Sequence, residues 1–296
     1  MQQRLTPQET SDTVRTASVL RTARKLRGLT QIEASRRLGI SQALISKLEN
    51  GLLSPSASLW FAATRLYDIE SSTTFETGYI DTFLNEQVVL SETNFRVPKK
   101  YLKNPSFTCR SIIPLLTYIE AEKGKDVLNN FLEERGLDPD LFNILDAQIN
   151  MKFLLEVIEL LDSHRLLKKN KIAAHVKQFN LSGILGHLRP LYESSTTVRE
   201  LLTHYVDRSS AYEANTVFTL KAQNANLVNL SMVPPAVTLQ ELKGAEKTKK
   251  FICHYKKELI KKISSYRNLQ EIDILHESEC AYEDESRCHF EIKLFG

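Results

Sequence analysis

The chain has 296 residues, of which 42% are hydrophobic and 25% are charged, and its formal net charge is +3. These values are typical of a globular protein, and the length predicts two domains. The first residues lack the apolar stretch of a signal peptide, and nowhere do about 18 apolar residues run together, so we expect a cytoplasmic protein that does not bind membranes. The 4 cysteines are then expected to be thiols or metal ligands, since disulfides are rare in the cytoplasm.

The segment over residues 30–51 carries the signals of two short helices joined by a tight turn. Thr30 can cap the first helix, since Glu33 stands three residues later and can reach back to the cap amide. Gly39 can adopt the positive φ that closes this helix. Ser41 is a favourable cap for the next helix, so the sequence predicts a turn between Gly39 and Ser41.

The second helix, expected from Gln42 to about Asn50, has two faces of opposite character. The positions spaced to pack inward are apolar, namely Leu38, Ile40, Ile45 and Leu48. The opposite side carries hydroxyl, amide, methyl and ammonium groups, on Ser41, Gln42, Ala43, Ser46 and Lys47. Such groups form hydrogen bonds and methyl contacts with base edges and phosphates. This helix is therefore predicted to enter the major groove of double-stranded DNA.

The stretch from Val14 to Tyr67 resembles the Xre or phage-repressor class of helix-turn-helix domains, which contain five short helices. The resemblance rests on Leu20, Arg24, Leu26, the runs 29–31, 38–41 and 45–51, and then Pro55, Leu59, Ala62 and Leu66. It implies that Gln31 holds a phosphate and that Asn50 meets the DNA backbone. The residues expected to face base edges are Gln42, Ala43 and Lys47. The full predicted DNA-binding set is Arg24, Gln31, Arg37, Ser41, Gln42, Ala43, Ser46, Lys47 and Asn50.

The charge of this region favours the same interpretation. Between residues 11 and 60 there are eight basic and three acidic side chains, a local excess of five in a chain whose total is +3. Because phosphate contacts supply most non-specific affinity for DNA, a basic module is what a DNA-binding domain requires. The alternative is a pair of amphipathic helices that bind only each other.

The chain is predicted to divide close to residue 108. The expected parts are a disordered N-terminus (1–13), the helix-turn-helix domain (14–70), a connector (71–108) and a second domain (109–296). In the connector, apolar spacing predicts a helix from about Phe75 to Leu90, which is either a plain connector or half of a dimerising pair. Prolines and lysines predict extended chain over residues 94–108.

The second domain is predicted to be α+β, because helical periodicity gives way to short alternating segments rich in β-branched residues. Helices are expected over residues 112–123, 125–135, 152–161 and 239–266. Strands are expected over residues 217–222, 226–232, 272–276 and 288–294, with a hairpin turn at 223–226. The short, alternating strands indicate an antiparallel sheet. The predicted fold class is therefore multi-domain, with an all-α five-helix N-terminal domain and an α+β C-terminal domain.

Two partial family resemblances fall in this second domain. The runs 132–141, 149–154, 183–186 and 195–202 are similar to the effector domain of one subclass of AraC regulators. Residues 277–290 are similar to the end of 4-vinyl-reductase-like sensor domains, although Glu283 replaces a common glycine. Both families belong to or resemble the haem-NO-binding-like sensors. The resemblance therefore implies helices and a twisted antiparallel sheet around a small-molecule cavity.

The same resemblance implies a zinc site near the C-terminus. Its predicted ligands are Cys253, Glu277, Cys280 and Cys288, with His254 or Glu279 as substitutes. Three thiolates and a carboxylate are a competent tetrahedral set. The alternative is that Cys253 is a small buried residue and that the other two cysteines are loop thiols.

Haem is not expected. Such a domain needs an axial histidine on a helix together with a cluster that grips the propionates. The histidines on candidate helices are His164, His175, His187 and His204. The sequence has no Tyr-x-Ser-x-Arg cluster of the haem-binding kind, so no cofactor is assigned beyond the zinc alternative.

Apolar helices and strands supply the residues that could line a ligand cavity. The predicted set is Phe153, Val157, Phe179, Leu188, Tyr205, Tyr212, Phe218 and Met232. Plain hydrophobic core is the alternative for each member.

Together these features predict a one-component transcriptional regulator. It would bind an operator as a homodimer through the helix-turn-helix and respond to a small molecule at the C-terminal domain. The alternative is a signalling scaffold whose repressor-like domain docks a partner protein. No Gly-rich phosphate loop, nucleophile elbow or His-rich metal motif stands out, so we expect no enzymatic activity.

Overall fold

A computed structural model describes residues 7–69, 72–82, 88–213, 216–243, 245–266, 269, 272–280 and 287–294. Within these ranges, side chains are not described for residues 7–11, 72–73, 246, 273 and 275–279. The chain divides into two compact units. Unit 1 comprises Met1–Pro98 and Asn129–Ala147, and unit 2 comprises Lys99–Leu128 and Gln148–Gly296. The chain thus passes between units three times, at residues 98/99, 128/129 and 147/148.

Unit 1 is built from short helices. They are α1 (Pro7–Leu26), α2 (Gln31–Leu38), α3 (Gln42–Glu49), α4 (Ala57–Tyr67) and α5 (Ser72–Thr77), followed by 3-10 turns at Leu90–Glu92 and Pro139–Asn143. The five-helix N-terminal arrangement is therefore confirmed. The disorder predicted for residues 1–13 is corrected from Pro7 onward, because proline has the φ of a first helical residue. Residues 1–6 lie outside the described residues.

The predicted caps of the two central helices are confirmed. The Thr30 hydroxyl accepts from the Glu33 amide, and the Glu33 carboxylate accepts from the Thr30 amide. Gly39 closes α2 at a φ of 66°, in the left-handed region that glycine adopts without strain. The Ser41 hydroxyl then accepts from the Leu44 amide and starts α3. Local sequence thus fixes the turn that sets α3 against α2.

An apolar core holds these helices together. Its buried members are Leu20, Ala23, Leu29, Ala34, Ile45, Ala63, Tyr67 and Ile80. Trp60 packs against this core and lies 4.6 Å from the Phe75 ring, measured between centroids. Burial of such side chains is the main stabilising term for helices of this length.

The prediction of a long connector helix over residues 75–90 is wrong for the described residues that follow Thr77. Helix α5 ends at Thr77, and Gly78 follows at a φ of 81°, where a Cβ atom would lie 3.2 Å from the Arg15 side chain. Ile80 then forms a parallel bridge with Ile144. Residues 83–87, which the prediction also covered, lie outside the described residues.

Unit 2 combines helices with two small sheets. Its helices are α6 (Lys99–Leu102), α7 (Cys109–Lys123), α8 (Lys125–Glu134, leaving the unit after Leu128), α9 (Met151–Ser163), α10 (Lys169–Gln178), α11 (Ser182–Leu185), α12 (Arg189–Ser194), α13 (Val198–Asp207), α14 (Ala236–Glu241) and α15 (Glu246–Ser264). Its strands are β1 (Phe107–Thr108), β2 (Gln148–Ile149), β3 (Val217–Asn224), β4 (Leu227–Val233), β5 (Ile272–Glu279) and β6 (Cys288–Leu294). The short helix α6 interrupts the extended chain predicted for residues 94–108.

The larger sheet is antiparallel, as the alternating pattern predicted. Its strand order is β3-β4-β6-β5, so the last strand in sequence, β6, lies between β4 and β5. Strand β4 alternates between half-buried and buried positions, and Val228, Leu230 and Met232 form its buried side. The α+β class predicted for the C-terminal domain is confirmed.

One predicted helix is divided. The helix expected over residues 239–266 is two helices, α14 and α15, separated at Leu242–Ala245. Gly244 lies in this break and outside the described residues. Helix α15 packs against α10, α13 and β5, which makes it the central helix of unit 2. Among the described residues, no helix has the length and apolar character needed to cross a lipid bilayer.

Candidate nucleic-acid interface

Helix α3 presents the predicted polar face to solvent. Ser41, Gln42, Ala43, Lys47 and Asn50 are exposed, and the remaining predicted residue of this helix is half-buried. The opposite side is anchored by Ile45 and Leu48, which are 3% and 5% exposed. A rigid apolar anchor under an exposed polar face is what a groove-binding helix needs.

The side chain of Gln42 is held in place by its neighbours. Its Nε2 atom donates to Gln31 Oε1 at 2.7 Å, and Gln31 Nε2 donates to Glu49 Oε2 at 3.0 Å. The amide groups of Gln31 and Gln42 are therefore ordered relative to each other at the start of α2 and α3. An ordered amide loses less conformational entropy when it binds a base edge or a phosphate.

Arg24 has a structural position instead of the predicted contact with DNA. It is 6% exposed, and its Nε and Nη2 atoms donate to the two carboxylate oxygens of Glu49 at 2.6 and 2.7 Å. Its Nη1 atom donates to the Leu29 carbonyl. Buried arginine is stable only when its donors are satisfied, and the pair with Glu49 provides this.

The remaining predicted residues stay at the surface. Arg37 is exposed at the end of α2, and Ser46 is half-buried on α3, where its hydroxyl oxygen accepts from Asn50 Nδ2 at 3.4 Å. Their predicted contacts with DNA stay predictions.

Sequence reasoning did not identify the buried acid of this interface. Glu49 is 2% exposed, and its carboxylate joins α1, through Arg24, to Gln31 at the start of α2. Burial, and then the negative charge of Glu49, raise the pKa of the buried Tyr67 to about 12. The signal available in the sequence was the acidic residue at the end of the apolar side of α3.

Unit 2 contains a buried aromatic cluster formed by Tyr192, Tyr205, Tyr212 and Phe218. Tyr212 donates a hydrogen bond to the Tyr192 hydroxyl at 2.9 Å. The Tyr205 ring lies 5.3 Å from that of Tyr212 and 5.5 Å from that of Phe218. Burial raises the pKa of Tyr212 to about 12 and raises that of Tyr192 well above its ordinary value. Both phenols are therefore neutral hydrogen-bonding groups at physiological pH.

The predicted cavity residues are mostly buried but are not all in one place. Tyr205, Tyr212 and Phe218 belong to the aromatic cluster, and Met232 pairs with Phe218 across β3 and β4. Phe153 makes its ring contact elsewhere, with Tyr101. Val157 and Leu188 are buried on α9 and beside α12, and Phe179 is half-buried with its ring 6.3 Å from that of His175. Whether any of these line a ligand cavity stays a prediction.

Among the side chains that the structure describes, Arg110 is the largest that is fully buried, and the sequence did not single it out. Its Nη1 atom donates to the carbonyl oxygens of Ile184 and Leu185, the latter at 2.7 Å. Its positive charge opposes the effect of burial and lowers the pKa of Tyr212. This guanidinium therefore lies close to the aromatic cluster.

A second feature of unit 2 is a surface cleft of about 170 Å³ beside α15. It is lined by Lys177, Glu258, Lys261, Lys262, Ser265 and Ile272. Burial, and then the charge of Lys177, lower the pKa of Lys262. Lys256 of the same helix is buried and donates to the Glu213 carboxylate at 2.8 Å.

The cysteines predicted to bind zinc are partly brought together. Cys253 and Cys280 are both buried, with 3.6 Å between their sulfur atoms. Cys288 is buried in β6, and among the described side chains it does not join them in a cluster of three ligand atoms within 4.8 Å. The side chain of Glu277, with that of the substitute Glu279, lies outside the described residues. The zinc site stays a prediction.

The helix histidines have varied surroundings. The His175 ring lies 3.1 Å from the Thr117 hydroxyl, and burial lowers its pKa. His164 caps α9, while His187 and His204 are half-buried in the segment before α12 and in α13. These positions do not decide whether a cofactor binds, and the absence of haem stays a prediction.

Comparison with known proteins identifies the helix-turn-helix. Residues 20–72 match the family model described as Helix-turn-helix, a range that includes all of α2, α3 and α4. The module predicted from the sequence is therefore confirmed, and its family supports a DNA-binding role. No curated protein matches the chain.

Solved structures similar to the chain include H-NOX proteins. The Fe(II) unliganded H-NOX protein from K. algicida is 12% identical, with 64% of this chain and 97% of that chain covered and a TM-score of 0.44. An H-NOX protein from S. oneidensis in the Fe(II)NO ligation state is 14% identical, with 64% and 99% covered and a TM-score of 0.46.

Proposed function

We propose that this protein is a one-component transcriptional regulator that binds an operator as a homodimer and responds to a small molecule at unit 2. The observation that carries the proposal is the exposed polar face of α3, with Gln42 held by Gln31 beside the exposed Lys47. This face belongs to the segment that matches the helix-turn-helix family. The proposal assigns the chain no catalytic activity.

The side chains of this face have distinct roles in the proposed complex. Gln42 offers an amide that can bond bidentately to adenine, and Ala43 offers a methyl group that can contact thymine. Lys47 supplies an ammonium group that can donate hydrogen bonds to phosphate oxygens or to guanine. Phosphate contacts fix the register, whereas base contacts supply sequence preference.

A homodimer is proposed because one module of this size covers few base pairs. Two copies related by a two-fold axis would read two half-sites about one helical turn apart, which raises both affinity and specificity. Sedimentation of the full chain, alone and with DNA, measures this stoichiometry. A single copy per bound duplex would contradict the dimer.

Ligand control is proposed for unit 2 because it contains a buried aromatic cluster close to a buried guanidinium. Such surroundings suit a small molecule with an aromatic or carbonyl group. A ligand changes DNA affinity only if it binds two conformations with different affinity. A screen that measures DNA affinity with and without candidate small molecules tests this part of the proposal.

DNA recognition is tested with the full chain and a duplex selected by it from a random-sequence library. Gln42→Ala is expected to weaken discrimination between selected and scrambled duplexes by about 1–3 kcal/mol. Lys47→Ala is expected to weaken binding to all sequences and to reduce the salt dependence by about one phosphate contact. Fluorescence anisotropy at several salt concentrations measures both.

Lys123→Ala is the matched control, because Lys123 is an exposed lysine at the end of α7 and far from α3 in sequence. It should bind DNA as the wild type does. If Gln42→Ala and Lys47→Ala also bind as the wild type, the assignment of α3 to the groove is wrong.

The second candidate function is docking of a protein partner by the repressor-like unit. It is favoured by large apolar side chains at the surface, since Leu52 is 70% and Phe61 59% exposed. Co-purification separates the two functions. Nucleic acid that is retained by the protein and released by salt supports DNA binding, whereas a stoichiometric protein that salt does not release supports docking.

A further inference from the structure

A short acidic segment far along the chain is bound to α1 inside unit 1. Arg21 donates from Nε and Nη2 to the Asp140 carboxylate at 2.6 and 2.7 Å. Lys25 Nζ lies 2.7 Å from Asp138 Oδ2 and 2.6 Å from Asp140 Oδ2. Asn143 Nδ2 is within 3.1 Å of two hydroxyl oxygens of the same helix. One face of α1 is therefore covered by residues 138–143.

The electrostatics of this contact are favourable. Burial alone raises the pKa of Asp140, but the hydrogen bonds and charges of Arg21 and Lys25 outweigh it and leave that pKa below its ordinary value. The same pairing raises the pKa of Arg21. Bidentate pairing of a guanidinium with a carboxylate fixes orientation as well as distance.

Arg21 also reaches the end of α3. Its Nη1 atom donates to the Glu49 carbonyl oxygen at 2.7 Å, and Glu49 is the last residue of that helix. One guanidinium therefore joins Asp140 to the C-terminus of the helix proposed to enter the groove.

The network continues to the DNA-facing surface. The carboxylate of Glu49 accepts from Gln31, and Gln31 accepts from Gln42. Hydrogen bonds thus run from Asp140 through Arg21 to the Glu49 carbonyl, and from the Glu49 carboxylate through Gln31 to Gln42. The covalent bonds of Glu49 join these two sets. All of these residues lie in unit 1.

We propose that Asp140 is a positioning residue for DNA recognition, because through Arg21 it fixes the end of α3 and the orientation of Gln42. This inference rests on the DNA-binding function proposed above. Asp140 itself does not contact DNA in this arrangement. Without this charge, α3 still folds and packs against the core, but its orientation and that of the glutamine amides are less fixed.

The test is the substitution Asp140→Asn in the full chain, with the selected and scrambled duplexes as probes. Asparagine keeps the size of the side chain but removes its charge. The ratio of the two affinities is expected to fall by about tenfold, since a misaligned amide loses the discrimination of a bidentate base contact. A loss of stability alone does not change this ratio at temperatures where the protein remains folded.

Ala17→Gly is the control, because Ala17 is buried in α1 and its methyl group takes no part in the network. It should lower the melting temperature while leaving the affinity ratio unchanged. An Asp140→Asn ratio equal to that of the wild type overturns the inference.

Two further measurements keep the outcomes distinct. If Asp140→Asn does not fold, Arg21→Lys serves instead, because one ammonium group cannot bond both Asp140 and the Glu49 carbonyl as the guanidinium does. An unchanged ratio in Arg21→Lys overturns the inference. If Gln42→Ala also leaves the ratio unchanged, the proposed DNA-binding face is wrong. An effect of Gln42→Ala without one of Asp140→Asn removes only the positioning role.

Discussion

The two buried arginines, Arg24 of unit 1 and Arg110 of unit 2, are satisfied in different ways. In unit 1, Arg24 and Glu49 pair side chain to side chain, and both are less than a tenth exposed. In unit 2, Arg110 donates to the main-chain carbonyls of Ile184 and Leu185. The Arg24–Glu49 pair joins α1 to α3, and substitution of either residue removes the interaction. The Arg110 guanidinium instead donates to main-chain carbonyl groups, which a side-chain substitution at Ile184 or Leu185 does not remove. Arg24 is thus the more sensitive of the two arginines to the loss of one charged partner.

The largest effect is expected for Glu49→Ala. It leaves the Arg24 guanidinium buried without its carboxylate, and breaking such a pair costs about 3–5 kcal/mol. Urea denaturation followed by tryptophan fluorescence measures this, because Trp60 is the one tryptophan of the chain and packs against the core of unit 1. The signal therefore reports unit 1 separately from unit 2.

The double variant Arg24→Leu with Glu49→Leu is the control for this measurement. Replacing both partners of a buried pair by apolar residues is much less costly than removing one. The double variant should be more stable than Glu49→Ala. If it is less stable, the geometry of the pair matters more than the isolated charge, and the contrast with Arg110 is wrong.

Acid is expected to weaken unit 1 through Asp140. The folded pKa of this residue lies below its ordinary value of 3.8, so the unfolded chain takes up the proton first as the pH falls. The stabilisation is complete above about pH 4 to 5 and is lost progressively as the pH falls below the ordinary value and through the folded pKa. Urea midpoints from the Trp60 signal between pH 5 and 2 measure this.

Asp140→Asn provides the comparison for the acid experiment, because it removes the titrating group. Its stability should fall less steeply below pH 4 than that of the wild type. Equal slopes would mean that other carboxylates dominate the acid response of unit 1.

Local signals in the sequence predicted one part of this architecture well. Thr30, Gly39 and Ser41 determine their own neighbourhood through caps and a positive φ, so the helix-turn-helix could be placed to within a residue. The alternation in β4 and β6 likewise predicted antiparallel strands. These features depend on residues only a few positions apart.

Contacts between distant residues could not be predicted in this way. The role of Asp138 and Asp140 was missed, because nothing local shows that they bind α1 more than a hundred positions earlier. Arg24 was assigned to DNA since an arginine in a basic region carries no sign of burial. The break between α14 and α15 was missed although Gly244 stands within it, and glycine has a low helix propensity.

In unit 2 a smaller effect is expected for Tyr212→Phe. It removes the donor to the Tyr192 hydroxyl and keeps the ring contacts, so the expected loss is about 0.5–1.5 kcal/mol. Hydrogen exchange of the α12 and α13 amides measures this loss locally. A Tyr212→Phe variant as protected as the wild type would show that this hydrogen bond contributes no net stability.

The smallest expected effect is the difference between two equivalent caps, one in each unit. Thr30 with Glu33 starts α2, and Thr197 with Glu200 starts α13, and both form a complete capping box. In both, the hydroxyl accepts from the amide three residues later at 3.2 Å.

Thr30→Ala and Thr197→Ala should each cost about 1 kcal/mol, while serine at either position should retain most of the cap. Hydrogen exchange of the first-turn amides in α2 and α13 measures the two losses in one experiment. Because a cap depends on local geometry, the losses should agree even though only the cap of α2 adjoins the network of Glu49. A clearly larger loss at Thr30 would show that the charged network of unit 1 amplifies a local change at the start of α2, where Gln31 joins that network.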